Sequence, residues 1–370
     1  MKRDIEETED VLDAESQQPL KFWEDKQREL VTSVVDYNLK TLSELITGES
    51  IKLHPRFQRR FRWDRQRQSR LIESFLMNVP VPPIYLNEDE YGEYSVIDGK
   101  QRLTAIHEFF RGRLELNGLV VFSDINTCTF DTLPRELRNV LETRPTLRAV
   151  ILLRQSDADV KYEVFQRLNT GGVRLNPQEI RNSTWPGPLN DRILDLSEHN
   201  EFHALLGIRV KTKSAVYQEM RDAEFVLRYF TFKDNWATFK GGMKRQLDDF
   251  MRTHQRADRE LLDSLTSDFL RTVATVQAAF GDHAFRRWMP KANRWKKQIL
   301  AALYDAQMFA AKDFAAKSFQ GKKEQVLKAQ TKLFEDRDFL DAIGAGTNTP
   351  TYFTKRIECT RSMLQAVAEA

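Results

Sequence analysis

A chain of 370 residues, 41% hydrophobic and 30% charged, has apolar material for more than one minimal core, and its mean hydropathy of −0.55 marks a soluble protein. The two cysteines, Cys128 and Cys359, lie far apart and outside any C-x-x-C spacing, which excludes a disulfide framework and a cysteine-based zinc site. The net charge of +3 hides a segregation, with seven acids in residues 1–15 and seven arginines in residues 56–70. No apolar run reaches the roughly 18 residues needed to span a bilayer, and Met-Lys-Arg-Asp leads into acids instead of an apolar h-region. A cytoplasmic protein without membrane partners is expected.

Residues 1–30 are acidic and polar, the composition of a mobile tail. Val34–Tyr37 and Ile51–Leu53 are expected as short strands, with a helix over Thr41–Thr47 between them. Asp64 is placed to cap a helix from Arg65 to Asn78, whose Leu71, Ile72, Phe75, Leu76 and Val79 share one face before Pro80, Pro82 and Pro83 end it. Ile84–Leu86 and Tyr94–Ile97 are strand-like. Asp98-Gly99 turns the chain into a helix with Leu103, Ile106 and Phe110 inward, closed by Gly112. Leu114–Leu116 and Leu119–Phe122, joined by Asn117-Gly118, have the pattern of a hairpin. Leu147–Leu153 is a buried strand, and a helix runs from Asp157 to about Leu168. Beyond Asn176 the strand signal nearly vanishes. Helical spacing continues through 177–196, 218–232, 240–252, 258–280, 293–315 and 320–345. The expected architecture is α+β: a small mixed-sheet domain over 31–172, followed by an all-helical domain over 173–370.

Three segments could carry chemistry. Asp98-Gly99-Lys100-Gln101-Arg102 opens a helix after a strand. The first helical turn exposes backbone N–H groups and the positive end of the helix dipole, and Lys100 and Arg102 add charge, so the segment suits a phosphate. Asp98 can cap the helix or help hold a metal ion on the phosphates. On spacing alone the commoner reading is an ordinary capped helix with solvated Lys and Arg. In the second segment, Arg167, Asn169 and Arg181 surround the Gly171-Gly172 turn. Asn176-Pro177 with Glu179 is a capping-box signature there and needs no function. The three planar polar groups suit a phosphate, ribose or base edge. The third segment, Pro55–Asp64, interleaves arginines with Phe57, Phe61 and Trp63. The rings fall on odd positions, as an inward-facing strand requires, while Arg56, Arg60 and Arg62 suit nucleic-acid phosphates.

Taken in order, Q-R-x-F-x-W, P-x-P-P-I-Y-L, I-D-G-x-Q-R-L and F-x-R-L-N-T-G-G-x-x-L-x-x-x-E-I-R resemble the family that forms the N-terminal half of GmrSD restriction enzymes, over roughly residues 35–310. Arg221–Arg228 and a helical Phe285–Ala310 resemble later segments of that family. The resemblance implies a ParB/sulfiredoxin-like topology in the first domain. It places Asp98, Gly99, Gln101 and Arg102 in a nucleotide-phosphate loop, with Gln58 and Arg59 lining the same pocket. Arg167, Asn169, Gly171, Gly172, Glu179 and Arg181 would form its second wall. Lys100 stands where the family usually has Gln, which adds a positive charge and removes an amide acceptor.

Many family members continue into a histidine-based HNH-like nuclease. The six histidines here end at His283, so no fused nuclease of that kind is expected. His199 and His203 have an i, i+4 spacing that can hold zinc, but no H-E-x-x-H surrounds them. His107 fits a core edge. The expected function is binding of a nucleoside triphosphate, with Mg2+ and slow hydrolysis carried by Asp98 and Arg102, that gates a separate nuclease or other effector in antiphage defence. The alternatives are a DNA-binding or DNA-sensing subunit without turnover, and a non-catalytic, antitoxin-like partner.

Overall fold

The computed structural model describes residues 30–53, 63–168, 176–344 and 348–370. The chain divides into two compact units, and the described residues of the first end at 168 while those of the second start at 176.

The first unit runs β1 (Thr32–Asn38), α1 (Leu39–Thr47), β2 (Ile51–Lys52), α2 (Arg65–Leu76), β3 (Ile84–Glu90), β4 (Glu93–Asp98), α3 (Lys100–Phe110), α4 (Arg135–Thr143), β5 (Thr146–Leu152) and α5 (Ala158–Leu168). The sheet order is β1-β5-β3-β4-β2. It is mixed: β1–β5 and β3–β4 pair antiparallel, β3–β5 and β2–β4 parallel. The expected α+β class is therefore observed. Asn38 and Asp64 start α1 and α2 by accepting from Thr41 N and Arg67 N at 2.7 Å each, which satisfies donors that a helix end leaves open. Along β5, Leu147, Ala149 and Ile151 are buried while Thr146 and Arg148 are exposed, the period-2 signature of a half-buried strand. Leu39, Ile72, Ile84, Leu86, Leu103, Ile106, Phe109 and Leu141 join one core.

The unit departs from the expected elements in two places. Helix α4 has no counterpart among the expected elements. Residues 114–122 form no hairpin, because their donors are taken elsewhere. The Glu73 carboxylate on α2 accepts from Val120 N, Val121 N and Phe122 N at 3.0, 2.8 and 3.0 Å, and Asn117 N donates to Ser69 Oγ. Leu116 exchanges backbone hydrogen bonds with Thr127 and Cys128 instead. One buried carboxylate holding three amides is a strong anchor. Glu73→Ala should therefore cost about 2–3 kcal/mol, read from a urea midpoint, and Glu73→Gln, which keeps an acceptor oxygen, distinctly less. Equal stability of all three proteins would remove Glu73 from that role.

The second unit comprises α6 (Pro177–Thr184), α7 (Pro188–Ser197), α8 (Asn200–Leu206), α9 (Ala215–Gln218), α10 (Arg221–Phe232), α11 (Met243–His254), α12 (Arg259–Phe280), β6 (Arg286–Met289), β7 (Arg294–Ile299), α13 (Ala301–Ala311), α14 (Lys323–Leu333), α15 (Arg337–Ala342) and α16 (Pro350–Glu369). Every residue of α13 from Ala302 to Ala311 is buried, and α10, α12 and α16 pack around it. A helix buried on all sides is a core helix. Phe202, Phe225 and Phe285 surround the ring of Tyr304, whose hydroxyl donates to Phe225 O at 2.7 Å, and Phe269 packs on Phe202 from the far side.

The all-helical expectation needs correction here, because β6 and β7 form an antiparallel hairpin within the segment read as helical. Trp295, Lys297 and Ile299 fall on one face of β7, and Arg294, Lys296 and Gln298 on the other. Pro290 cannot continue a helix, and Asn293 at φ 46° makes the turn. The expected helix over 320–345 is likewise two helices, since Asp336 caps a new one by accepting from Phe339 N at 3.1 Å. Phe334, Phe339 and Ile343 are buried in one cluster with Leu340 packed against them, although the helix break at 334–336 means that they do not form a stripe on a single helix. The long α16 has no counterpart among the expected elements. Among the described residues no helix is long and apolar enough to cross a membrane.

Candidate functional site

The junction of β4 and α3 is built around Gly99. It occupies the N-cap position with φ 94°, a conformation glycine takes without a β-carbon penalty, and no side-chain cap bond closes the helix there. A β-carbon on Gly99 would also stand 2.3 Å from Ile84 Cγ2, so the residue serves a close approach of β3 as well as a turn. Asp98 ends β4 and does not cap α3. Its Oδ2 accepts instead from Arg102 Nη2 at 2.6 Å, one helical turn further on. The same Arg102 nitrogen donates to Pro83 O at 3.1 Å, which ties α3 to the proline-rich entry of β3. Arg102 is 14% and Asp98 44% exposed, so the carboxylate faces solvent while the guanidinium is mostly covered. Gln101 Oε1 accepts from Trp63 N at 2.9 Å, and Trp63 O accepts from Gln68 Nε2 at 2.9 Å. The guanidinium of Arg67 lies 4.8 Å over the Trp63 ring. Beside α3, Trp63, Gln68, Thr104, Glu108 and Arg113 line a small cavity of about 240 Å³.

The structure thus brings Asp98, Gly99, Lys100, Gln101 and Arg102 together at one helix start. Arg56, Gln58, Arg59, Arg60, Arg62, Asn169, Gly171 and Gly172 lie outside the described residues. Arg167, in the last turn of α5, is exposed and reaches Glu163 at 3.0 Å. Glu179 and Arg181 belong to the second unit, and both are buried. The expected capping box is present: Asn176 Oδ1 accepts from Glu179 N at 3.0 Å, and Glu179 Oε2 accepts from Asn176 N at 2.8 Å. Arg181 donates to Asp248 Oδ1 at 2.7 Å and Gln178 Oε1 at 3.2 Å, with Glu224 at 3.4 Å. Within its own unit, its guanidinium is committed to protein acceptors.

His203 approaches Asp222 at 3.8 Å and meets the Tyr217 ring edge-on. His107 contacts Ser43 Oγ through Nδ1 at 3.2 Å, and burial holds its pKa below the usual histidine value. No cluster of His, Cys, Asp or Glu with the makings of a metal site occurs among the described residues. Sequence reasoning missed Pro83 O and the Trp63 backbone as anchors of α3. Main-chain groups leave no residue-type signal, and only the P-P-I-Y-L and Q-R strings mark the places where they meet.

Residues 42–185 match the family model described as the GmrSD restriction endonuclease, N-terminal domain. No curated protein and no solved structure matches the chain. The matched segment holds the Asp98–Arg102 junction, most of the five-stranded sheet and the capping-box helix α6. Everything from α7 onward, including the β6–β7 hairpin, lies beyond it.

Proposed function

We propose that the protein acts in restriction-type defence and that its GmrSD domain binds a nucleoside triphosphate through the phosphates at the start of α3. One observation carries this reading: the first turn of α3 follows a left-handed glycine, has no side-chain cap, and bears Lys100 and Arg102. Helix-start amides and two cations provide directional donors and charge for a phosphate. The pairing of Arg102 with Asp98 and Pro83 O holds the guanidinium in place before a ligand arrives, which lowers the ordering cost of binding. Asp98 is the carboxylate that this junction offers, and its exposed position suits Mg2+ shared with the phosphates, an ion that commonly takes one or two carboxylates plus phosphate oxygens. Hydrolysis would use Asp98 to orient water or metal and Arg102 to offset charge developing on the transferred phosphate. The nucleotide state would then gate a separate effector.

Lys100→Ala tests the reading, because this side chain, unlike Arg102, forms no part of the anchor to Pro83. Triphosphate affinity should fall about tenfold, equivalent to roughly 1.4 kcal/mol. Calorimetric titration with the four ribonucleotides and magnesium supplies the measurement. A parent protein that binds none of the four, or a variant that binds as tightly as the parent, would overturn the assignment.

A further inference from the structure

The β6–β7 hairpin of the second unit has a composition that packing does not require. Arg286–Ile299 contains six cations, Arg286, Arg287, Lys291, Arg294, Lys296 and Lys297, and no acid. Among the described residues none of the six makes a salt bridge; the ion pairs of the unit lie elsewhere, as in Arg271–Asp268 and Arg361–Asp313. Lys291, Arg294, Lys296 and Lys297 are exposed. Concentrating like charge on one short ribbon raises the energy of the free protein, so a polyanionic partner is the natural complement.

The cleft beside the hairpin points the same way. A cavity of about 740 Å³ is lined by Arg286 and Lys297 from the hairpin and by His203, Arg209 and Lys211 from α8 and the segment after it, with Asp282 as the acid of the lining and Lys211 paired to Glu198 at 2.6 Å. His203 is 5% exposed, and its Nε2 faces the buried Asp222 carboxylate at 3.8 Å. Gly207, at φ 69°, closes α8 where Arg286 Nη2 comes within 2.6 Å of the position a β-carbon would take, so the guanidinium is packed into the cleft wall. Arg286 also donates to Leu205 O and Ala284 O at 3.1 and 2.8 Å, which fixes its orientation.

We infer that the β6–β7 ribbon and this cleft form a binding surface for duplex DNA that reads the phosphate backbone. The two tryptophans separate this from base stacking on a single strand. Trp288 and Trp295 lie 5.4 Å apart and pack on the core with His283 and Phe334, so their faces are committed inward. Arg294 and Lys296 alternate with Trp295 along β7 and point to the opposite face, while the exposed Lys297, on the Trp295 face, lines the cleft. What the ribbon offers outward is charge without aromatic platforms. That chemistry positions a protein on phosphates and carries no base readout, and a two-stranded ribbon has dimensions the major groove admits. The surface lies outside the GmrSD segment and does not depend on nucleotide binding there.

The test is fluorescence anisotropy of the full chain with a duplex of about 20 base pairs and arbitrary sequence, without nucleotide, at several salt concentrations. The parent should bind at low salt and weaken steeply as salt rises. Arg294→Glu with Lys296→Glu and Lys297→Glu should weaken binding at least tenfold and flatten the salt slope by about three, near one for each phosphate no longer neutralised. A control with the same charge change on exposed positions of the same unit, Lys317→Glu with Lys328→Glu and Lys332→Glu, should retain most of the affinity. An equal loss in the control overturns the proposal, as does a parent that binds no duplex. Preference for a single strand of the same length, or for anionic phosphatidylserine vesicles over the duplex, overturns it too. Unchanged unfolding midpoints of both variants confirm that each reports on the surface and not on folding.

Discussion

Replacing Asp305 with alanine is expected to destabilise the second unit by about 3–5 kcal/mol, since it strands two buried guanidinium groups at once. Asp305 sits on α13 with no exposure. Its Oδ1 lies 2.9 Å from Arg228 Nε on α10, and its Oδ2 accepts from Arg356 Nη2 on α16 at 2.6 Å. The first approach is an ion pair without hydrogen-bond alignment, and the second has both. Arg356 has no exposure, stands over the Phe353 ring at 4.9 Å and also donates to Ala342 O at 3.3 Å. Burial pushes its pKa below the usual arginine range, and Asp305 opposes that shift. In a unit of this size the loss should lower the melting midpoint by roughly 6–20 °C, read by calorimetry. Removing all three charges together, with Asp305→Leu, Arg228→Met and Arg356→Met, should cost far less than Asp305→Ala, because no unpaired charge remains. A midpoint for Asp305→Ala within a degree of the parent would show that water reaches the triad.

Gly99→Ala is the second large effect. A methyl group at φ 94° carries backbone strain of about 1–3 kcal/mol, and it would sit 2.3 Å from Ile84 Cγ2 and 3.1 Å from Arg102 Nη2. Ile84 is fully buried in the middle of the sheet and cannot swing away. The sum of strain and overpacking is about 3 kcal/mol or more, expressed as a lower urea midpoint of the first unit. The displaced Arg102 should weaken triphosphate binding in whatever protein stays folded. Ile84→Ala opens the space the methyl needs, so the double variant should be more stable than the two single losses added together. Strict additivity would mean that the methyl never meets Ile84, and the strain would then be all that Gly99 avoids.

The parts of the fold that can be read from the sequence are those where local chemistry and tertiary contact agree. Asp64 caps a helix that also buries an apolar face, and the Asn176–Glu179 box closes its helix by local hydrogen bonds alone, so pattern and structure coincide. The break at 114–122 is not legible. Asn117-Gly118 and the flanking apolar residues do carry hairpin chemistry, but a carboxylate more than forty residues earlier takes the amides. The β6–β7 ribbon is hidden for a different reason. Its Trp295 and Ile299 satisfy helical spacing as well as alternation, and Pro290 and Asn293 are the residues that decide. At the candidate site the D-G-x-Q-R string locates the helix start. The pairing of Arg102 with Asp98 follows from an i, i+4 spacing that the sequence displays. The burial of Arg181 is not displayed there, because Asp248 and Glu224 come from distant parts of the chain.

Helix α13 has a consequence for how the second unit opens. Five of its eleven residues are alanine, and no face of it touches solvent from Ala302 to Ala311. A helix with an outer face can fray turn by turn while the rest of a domain persists. This one cannot lose a turn until α10, α12 or α16 has already left it. The Asp305 triad fastens α10 and α16 to the same helix by charge. Partial opening of the unit must therefore begin at its periphery, in short elements such as α9 or α15, and the last structure to dissolve is the one buried deepest.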